Sequence, residues 1–350
     1  MKITIIKRIG LASLAVVCTA ATVYAGNPDR RGQAGATELL IQPWAQSGGW
    51  AGINSANVRG IESERMNVAG LAFLSKTELN FTRTTWLSGS DIFISAFGIG
   101  QRINESSVIG LSVMSVDAGE IEITRVDNPD GGLGVYKPSF VNLGVSYARS
   151  FSDRIHGGLT LRIISQSTTD VSSQGAAFDA GIQYITGEKD RIKFGIALRN
   201  VGTPMAFGGD GLAARGTMQG SSVALTLQQR SQLFELPSLM NIGGSYDFWL
   251  ADNDDYKLTV AANFTSNSFT NDQIGVGGEF NWKNMFAVRA GYQYEDGIQD
   301  VTVRQNAHDF INAGFSINAP FGASRFSLDY AYRSTSPFNG THMYGVRISL

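Results

Sequence analysis

Cysteine, proline and histidine are scarce in this chain of 350 residues. It has one cysteine, Cys18, eight prolines and three histidines, at positions 156, 308 and 342. Because Cys18 lies in an apolar leader, the rest of the chain can form neither a disulfide nor a thiolate metal site. None of the histidines has a second histidine or a carboxylate at ligand spacing, so we expect no metal and no cofactor.

Long hydrophobic runs and strong net charge are also absent. Hydrophobic residues make up 43% of the chain, yet beyond the leader no uninterrupted apolar run reaches the roughly 20 residues that a transmembrane helix needs. A helical membrane protein is thereby excluded. The formal net charge is only −2, so nothing indicates a nucleic-acid partner.

The first 25 residues have the pattern of an export signal. Basic residues come first, an apolar stretch follows over Ile9–Ala21, and small residues precede Gly26. We predict cleavage near Ala25. A retained membrane helix would need a longer apolar stretch, and a lipoprotein attached at Cys18 would need smaller residues around the cysteine.

The remaining chain alternates between apolar and polar residues. Near the carboxyl terminus, Tyr344, Val346 and Ile348 would share one strand face, while Gly345 and Arg347 share the other. The pattern repeats about every 12 to 20 residues, and the apolar faces end in Tyr or Phe, as in the aromatic girdles of membrane barrels. These features predict a transmembrane β-barrel. A soluble β-sandwich with a one-sided core is the alternative.

Turn lengths indicate the topology. Short connections alternate with long ones over 117–137, 202–237 and 296–307, and the short turns of outer-membrane barrels normally face the periplasm. With 222–230 placed outside the wall as a hairpin arm, fourteen antiparallel strands leave both ends of the barrel on the same side. Twelve or sixteen strands are the alternatives.

The segment after the leader has no strand pattern. It carries Trp44, Trp50, runs of small residues and a short helix candidate at Ile61–Met66. Because so much apolar surface would not stay solvated, we expect an N-terminal hatch inside the lumen. The expected organisation is a signal peptide at 1–25, a hatch at 26–75 and an all-β transmembrane barrel at 76–350.

Several segments resemble the PorV/PorQ family of outer-membrane proteins, which is related to the FadL-like barrels. They are Gln33–Ile41, Asn67–Ala72, Phe178–Tyr184, Phe194–Gly202 and Leu236–Gly243. The resemblance covers essentially the whole chain beyond the leader, and it implies a 14-stranded barrel with an internal plug. It also implies a place in the cell outer membrane, as an adaptor of the type IX secretion system of the Bacteroidota that binds secreted cargo or other type IX components. The residues do not separate a PorV-like from a PorQ-like role.

The hatch motif departs from the family pattern at one position. Asn67, Val68, Ala69 and Gly70 stand where the family usually has Asn-Pro-Ala-Gly. Asn67 and Gly70 keep the turn-forming chemistry, but Val68 lacks the fixed backbone angle of proline. We therefore expect a looser hatch in this protein.

Patterns that would indicate an enzyme are missing. The chain has no Gly-x-Ser-x-Gly elbow, phosphate loop or paired-carboxylate motif, and His308 and Asp309, as neighbours on a strand, point to opposite faces. We expect no catalysis. Charged residues on the predicted inner faces are expected to form a salt-bridge network rather than an ion pathway. They are Lys193, Arg199, Arg289, Arg325, Asp329, Arg333 and Arg347.

The long loops are the candidate binding elements, because loops on a rigid barrel often carry binding sites. The predicted partner-binding residues are Glu120, Ile121, Glu122, Ile123, Asp127, Asn128, Phe207 and Asp210. In the first loop, alternation predicts a strand extended beyond the membrane that could add to a partner's sheet.

Two functions are compatible with these features. The first is an adaptor that docks a cargo or surface partner through its loops. The second is a FadL-like transporter, in which a hydrophobic ligand enters a lumen pocket near Trp44 or Trp50. Outer-membrane lipid is a partner in both.

Overall fold

The computed structural model describes residues 26–350, except 218–219, 221–222, 251–254, 301, 303, 305 and 323. The predicted signal peptide lies outside the described residues. The described part of the chain is mostly strand. In chain order its strands are β1 (Thr77–Trp86), β2 (Ile92–Arg102), β3 (Ser107–Asp117), β4 (Ile121–Glu122), β5 (Val135–Tyr136), β6 (Ser139–Ser150), β7 (Ile155–Thr168), β8 (Val171–Thr186), β9 (Ile192–Gly202), β10 (Ala213–Thr217), β11 (Ala224–Gln228), β12 (Leu239–Trp249), β13 (Tyr256–Asn267), β14 (Gln273–Trp282), β15 (Phe286–Glu295), β16 (His308–Phe321), β17 (Ser324–Thr335) and β18 (Thr341–Ser349).

Fourteen of these strands form a closed antiparallel barrel. Strands that follow one another along the wall pair with each other, and β1 pairs with β18, with Glu78 opposite Ser349, to close the cylinder. The other four strands form two separate ribbons, β4–β5 and β10–β11. The predicted all-β, 14-stranded antiparallel barrel is confirmed, and the described residues 223–230 contribute no strand to the wall. None of the helices in the described residues is long and apolar enough to cross a membrane.

The wall has an apolar outer surface and a mostly polar inner one. In β1, Phe81 is 46% exposed, whereas Asn80, Thr82 and Thr84 are at most 2% exposed. Successive side chains of a strand point to opposite faces, so the same alternation in the other strands coats the outside with Leu, Ile, Val and Phe. Exposed apolar side chains on every side of a closed barrel are the arrangement that hydrocarbon requires.

The two ends of the barrel differ. At one end, the connections are short and include 103–106, 151–154 and 283–285; we call it the short-turn end. The other, the long-loop end, carries the connections 118–138 and 203–238 with their ribbons. Strand β1 begins and β18 finishes at the short-turn end.

The residues before β1 pack against the inner face of the wall. They contain one short α-helix, α1 (Ala45–Gly49). Turns of 3-10 helix lie at Pro28–Arg30, Thr37–Leu40, Ile61–Arg65 and Val68–Phe73. We call residues 26–76 the N-terminal segment. It starts at the long-loop end, where Arg30 forms an ion pair with Glu235 at 2.6 Å, and it runs to the short-turn end, where β1 begins.

Two local predictions differ from the observed elements. The sequence pattern predicts a strand over Phe178–Ile185, but β8 already begins at Val171, because residues 172–177 are small or polar and alternate only weakly. The alternating stretch after Asp117 is not a continuation of β3. It forms the separate ribbon β4–β5, in which Ile121 pairs with Tyr136.

Candidate functional site in the lumen and at the long-loop end

Asn67 connects the N-terminal segment to the wall. Its Oδ1 accepts a hydrogen bond from the N–H of Ala69 at 3.2 Å, which caps the 3-10 helix Val68–Phe73. Its Nδ2 donates to the carbonyls of Ser55 and Ile182, both at 3.0 Å. Gly70 N–H donates to the Asn67 carbonyl at 2.9 Å. The motif Asn67, Val68, Ala69 and Gly70 thus forms a turn without proline, and all four residues are buried.

A second part of the N-terminal segment carries buried carboxylates. Glu62 is 1% exposed, and it accepts hydrogen bonds from the backbone N–H and the hydroxyl of Ser47, at 3.0 and 2.8 Å. Burial raises the pKa of Glu62 to about 7, against the opposing effect of Arg347. Burial also raises the pKa of Glu64. These groups belong to the N-terminal segment and not to a wall strand, and sequence analysis did not single them out.

Several of the predicted lumen charges are paired. Lys193 contacts Asp247 at 2.5 Å and Arg289 contacts Glu279 at 2.8 Å. Asp329 lies 3.6 Å from Arg347 and accepts a short hydrogen bond from Ser316. The acidic partners Asp247 and Glu279 were not among the predicted lumen charges, although both lie on inner faces of the wall. Following the strand alternation through β12 and β14 identifies both.

Three predicted lumen cations have no ion pair among the described residues. Arg199 is 7% exposed, and its Nε lacks a hydrogen-bond partner. Arg333 is half-buried, and its Nε is likewise unpartnered. Arg325 is exposed near the short-turn end. The predicted network therefore includes some of these charges and leaves others unpaired.

The buried pair formed by Arg162 and Asp179 was not predicted. The two side chains contact each other at 2.6 Å and are 1% and 3% exposed. Asp179 also accepts the backbone N–H of Asn200 at 2.6 Å, at an irregular step in the pairing of β8 with β9. Arg65 of the N-terminal segment lies near this pair and is 2% exposed. Arg162 lies on the inner face of β7, so the alternation in that strand was the available signal.

Two cavities flank the N-terminal segment. The long-loop cavity has a volume of about 510 Å³, and the short-turn cavity one of about 520 Å³. Trp50 lines the short-turn cavity, beside the polar side chains of Asn54 and Asn57. Trp44 lines neither cavity and packs against Ile94 and neighbouring apolar residues of the wall.

The predicted loop residues lie on two separate ribbons and their connections. Glu120 forms an exposed ion pair with Lys137 at 3.1 Å, while Ile121 and Glu122 form β4, directly before Ile123. Asp127 is exposed, and Asn128 donates to the carbonyl of Gly131 at 3.0 Å. In the second loop, the ring of Phe207 lies 5.6 Å from that of Phe234, and Asp210 begins a 3-10 turn. Within the described residues, no group of three or more His, Cys, Asp or Glu is placed to hold a metal ion.

The closed barrel has a fold similar to those of several solved channels and transporters. The toluene transporter TodX of Pseudomonas putida has 12% sequence identity, with a TM-score of 0.54 over 88% of this chain and 99% of the other. The CymD monoaromatic hydrocarbon channel has 14% identity, with a TM-score of 0.52 over 89% of this chain and 97% of the other. A Pseudomonas aeruginosa FadL homologue has 12% identity, with a TM-score of 0.52 over 88% and 98% of the two chains.

The sequence identifies the family to which the chain belongs. Residues 27–269 match the family described as type IX secretion system protein PorV, and the chain belongs to that family. The predicted family resemblance is therefore confirmed. No curated protein matches the chain. The family is thus one of a secretion system, and the solved structures show that channels and transporters share its fold.

Proposed function

We propose that this protein is an outer-membrane adaptor of the type IX secretion system that binds a cargo or surface partner protein at its long-loop end. Family membership supports the secretion role. The binding role rests on one observation, which is the apolar surface of the ribbon β10–β11. Leu225 and Leu227 of β11 are each 40% exposed, although this ribbon is separate from the barrel wall.

The ribbon lies in a loop and not in the wall, so the lipid that surrounds the wall is not its expected contact. Exposed apolar groups beyond the membrane favour a protein interface. The ribbon has only two strands, so its edges have unpaired backbone groups to which an extended partner segment can add. The ribbon β4–β5, with Ile121 39% exposed and Val135 51% exposed, offers a second such element.

The N-terminal segment belongs to the same surface. Gly35 N–H donates to the carbonyl of Glu235 at 3.0 Å, and Arg30 stacks over Phe269 at 4.3 Å. These contacts hold residues 30–35 beside the loop that carries β10–β11. In this proposal, the N-terminal segment serves both as the hatch of the barrel and as a support for the binding loop, and the protein has no catalytic role.

The adaptor role is tested by co-purification from outer membrane in mild detergent. Leu225 and Leu227 lie on one face of β11, and Thr226 lies on the other. We expect Leu225→Asp with Leu227→Asp to lose the co-purifying partner protein, and Thr226→Asp to keep it. Retention of every partner by the double variant would contradict the proposal.

A second candidate is a FadL-like transporter of hydrophobic small molecules. It is favoured by the long-loop cavity, which Leu40, Ile41 and Trp86 line in part, and by the overall fold. Uptake of a radiolabelled hydrocarbon by cells that carry or lack the protein distinguishes this role, because an adaptor leaves uptake unchanged.

A further inference from the structure

Arg83 is an exposed cation on the lipid-facing side of the wall. It lies in β1 on the same face as Phe81, and both side chains are exposed. The other lysines and arginines of the wall strands point into the lumen or contact the N-terminal segment, except Arg149 at the short-turn end. Because a cation on a lipid-facing strand costs free energy unless it lies near the membrane surface, Arg83 needs a stabilising partner at that level.

The protein supplies only part of this stabilisation. Arg83 Nη1 donates to Ser95 Oγ at 2.7 Å, and Cζ lies 4.6 Å from the centre of the Phe93 ring. Asp117, which is opposite Phe93 on β3, accepts the backbone N–H of Gly119 instead. No carboxylate of the described residues forms an ion pair with Arg83, so its other N–H groups are available to an acceptor from outside the protein.

Aromatic side chains of β17 and β18 lie beside Arg83. Tyr344 is directly opposite Arg83 in the pairing of β1 with β18 and is 53% exposed. The ring of Tyr330 lies 5.4 Å from that of Tyr344, and the Tyr330 hydroxyl forms a hydrogen bond with His342 Nδ1 at 2.9 Å. Outward tyrosines of a barrel wall lie where hydrocarbon gives way to the lipid headgroups, so this cluster marks the headgroup level.

The position of Arg83 along β1 agrees with this level. Three residues separate it from the end of the strand at Trp86, which is about 10 Å along the strand and less in depth, because the strands of such barrels are tilted. An arginine side chain covers much of this distance by extending along the wall towards water. The short turns of such barrels face the periplasm, so the guanidinium reaches the headgroups of the outer leaflet.

We propose that Arg83 binds the phosphate group of a lipid in the outer leaflet. A guanidinium suits phosphate because its planar N–H donors bind two oxygens at once, and Ser95 holds it from one side. Towards the membrane centre, Phe81 pairs with Val346, and their outward side chains offer an apolar surface to the acyl chains. The site lies on the outer wall and does not depend on partner binding at β10–β11.

Native mass spectrometry of the protein in non-ionic detergent tests lipid binding. Monophosphoryl lipid A and its dephosphorylated form share their sugars and acyl chains and differ in the phosphate. We expect the phosphorylated form to bind at least about tenfold more tightly, because hydrogen bonds between charged groups contribute at least this much. Equal affinity for both lipids, or no binding of either, would overturn the proposal.

Substitutions locate the site. Arg83→Gln should weaken the binding of monophosphoryl lipid A about tenfold and abolish the preference over the dephosphorylated form. Arg83→Lys keeps the charge but lacks the planar donors, so it should show a smaller loss. Arg149→Gln is the matched control, because it removes the other outward arginine, which pairs with Gly157 at the short-turn end; it should leave the affinity unchanged. An equal loss in Arg83→Gln and Arg149→Gln would refute the assignment.

A membrane protein that presents a carboxylate to Arg83 is the alternative occupant. In that case Arg83→Gln loses a protein that co-purifies from outer membrane and keeps the lipid preference of the unaltered protein, which would overturn the lipid assignment. The comparison of the two lipids on the unaltered protein decides the question if a variant does not fold.

Discussion

At the scale of single residues, Asn67 shows how the turn Asn67–Gly70 forms without proline. Its φ and ψ of −151° and 102° are extended, a conformation that the residue before a proline also adopts. Val68 is the first residue of the following 3-10 helix, where proline is tolerated because an N–H at this position would have no partner within the helix. The turn is thus held by the Asn67 side chain rather than by a fixed backbone angle.

Val68→Pro is therefore expected to stabilise the protein by about 0.4–1 kcal/mol, because it restricts the unfolded chain without breaking a hydrogen bond. The thermal unfolding midpoint in detergent measures the effect. Ala69→Pro is the control, because it removes the N–H that donates to Asn67 at 3.2 Å, and it should lower the midpoint. If both variants lower the midpoint equally, Val68 is not in a proline-compatible position.

Glu62 predicts how stability depends on pH. Burial raises its folded pKa from 4.5 to about 7, so the folded state prefers the protonated acid. The resulting stabilisation is complete below pH 4.5 and is lost as the pH rises through about 7. Glu62→Gln removes this titration while keeping an oxygen to accept from Ser47.

We expect the unfolding free energies of the parent protein and Glu62→Gln to diverge between pH 4.5 and about 7, with Gln favoured at the higher pH by on the order of 1–3 kcal/mol. Denaturant titrations at several pH values measure the difference. A difference that does not change with pH would contradict the raised pKa.

At the scale of elements, glycines of the wall let the N-terminal segment lie against the strands. Most wall strands carry a glycine whose missing side chain would meet this segment. These include Gly98, Gly110, Gly158, Gly181, Gly195, Gly243, Gly275, Gly277, Gly291 and Gly314. The high glycine content of 41 residues therefore reflects close packing inside the barrel as well as turns.

Gly195 provides the clearest test of this packing. A Cβ at Gly195 would lie 2.5 Å from the carbonyl oxygen of Ser55 and 2.8 Å from the Cα of Ala56. Gly195→Ala should destabilise the protein by about 1–3 kcal/mol and make residues near Ser55 easier to cleave with protease. Gly244 follows the residue of β12 that pairs with Gly195. A Cβ at Gly244 would lie 3.8 Å from its nearest neighbour, which is an ordinary contact. Gly244→Ala should be neutral, and an equal loss in both variants would argue against close packing as the cause.

Sequence patterns were sufficient to predict the strands of the wall, but they did not predict which side chains pair in the interior. The alternation of apolar and polar residues around Phe81 or Tyr344 arises because one face of each strand meets lipid and the other meets polar groups. This pattern can be recognised from the sequence of a single strand. The pair Arg162–Asp179 joins two strands and depends on register, which alternation does not specify across a bulge. The start of β8 at Val171 was not predicted because its first residues are small or polar and form no apolar face.

At the scale of the whole molecule, the course of the N-terminal segment was also not predictable. A plug inside the lumen was expected, but not that its first residues would reach the long-loop end and bind there through Arg30 and Arg31. Arg31 donates to Asn271 Oδ1 at 2.8 Å, in the connection between β13 and β14. These contacts join residues distant in sequence, and no local pattern encodes them.

This course predicts which side of the membrane displays the first residues of the N-terminal segment. Short turns of such barrels face the periplasm, so the long-loop end and residues near Gly26 should face outwards. An epitope inserted after Asn27 should be accessible to antibody on intact cells, as should one placed between β10 and β11. An epitope in the turn at Asn284, which lies at the short-turn end, should become accessible only after the outer membrane is permeabilised. The contradicting result is an epitope after Asn27 that is detected only in permeabilised cells, together with an epitope between β10 and β11 that is detected in intact cells. The two epitopes would then lie on opposite sides of the membrane. The N-terminal segment would therefore not start at the long-loop end.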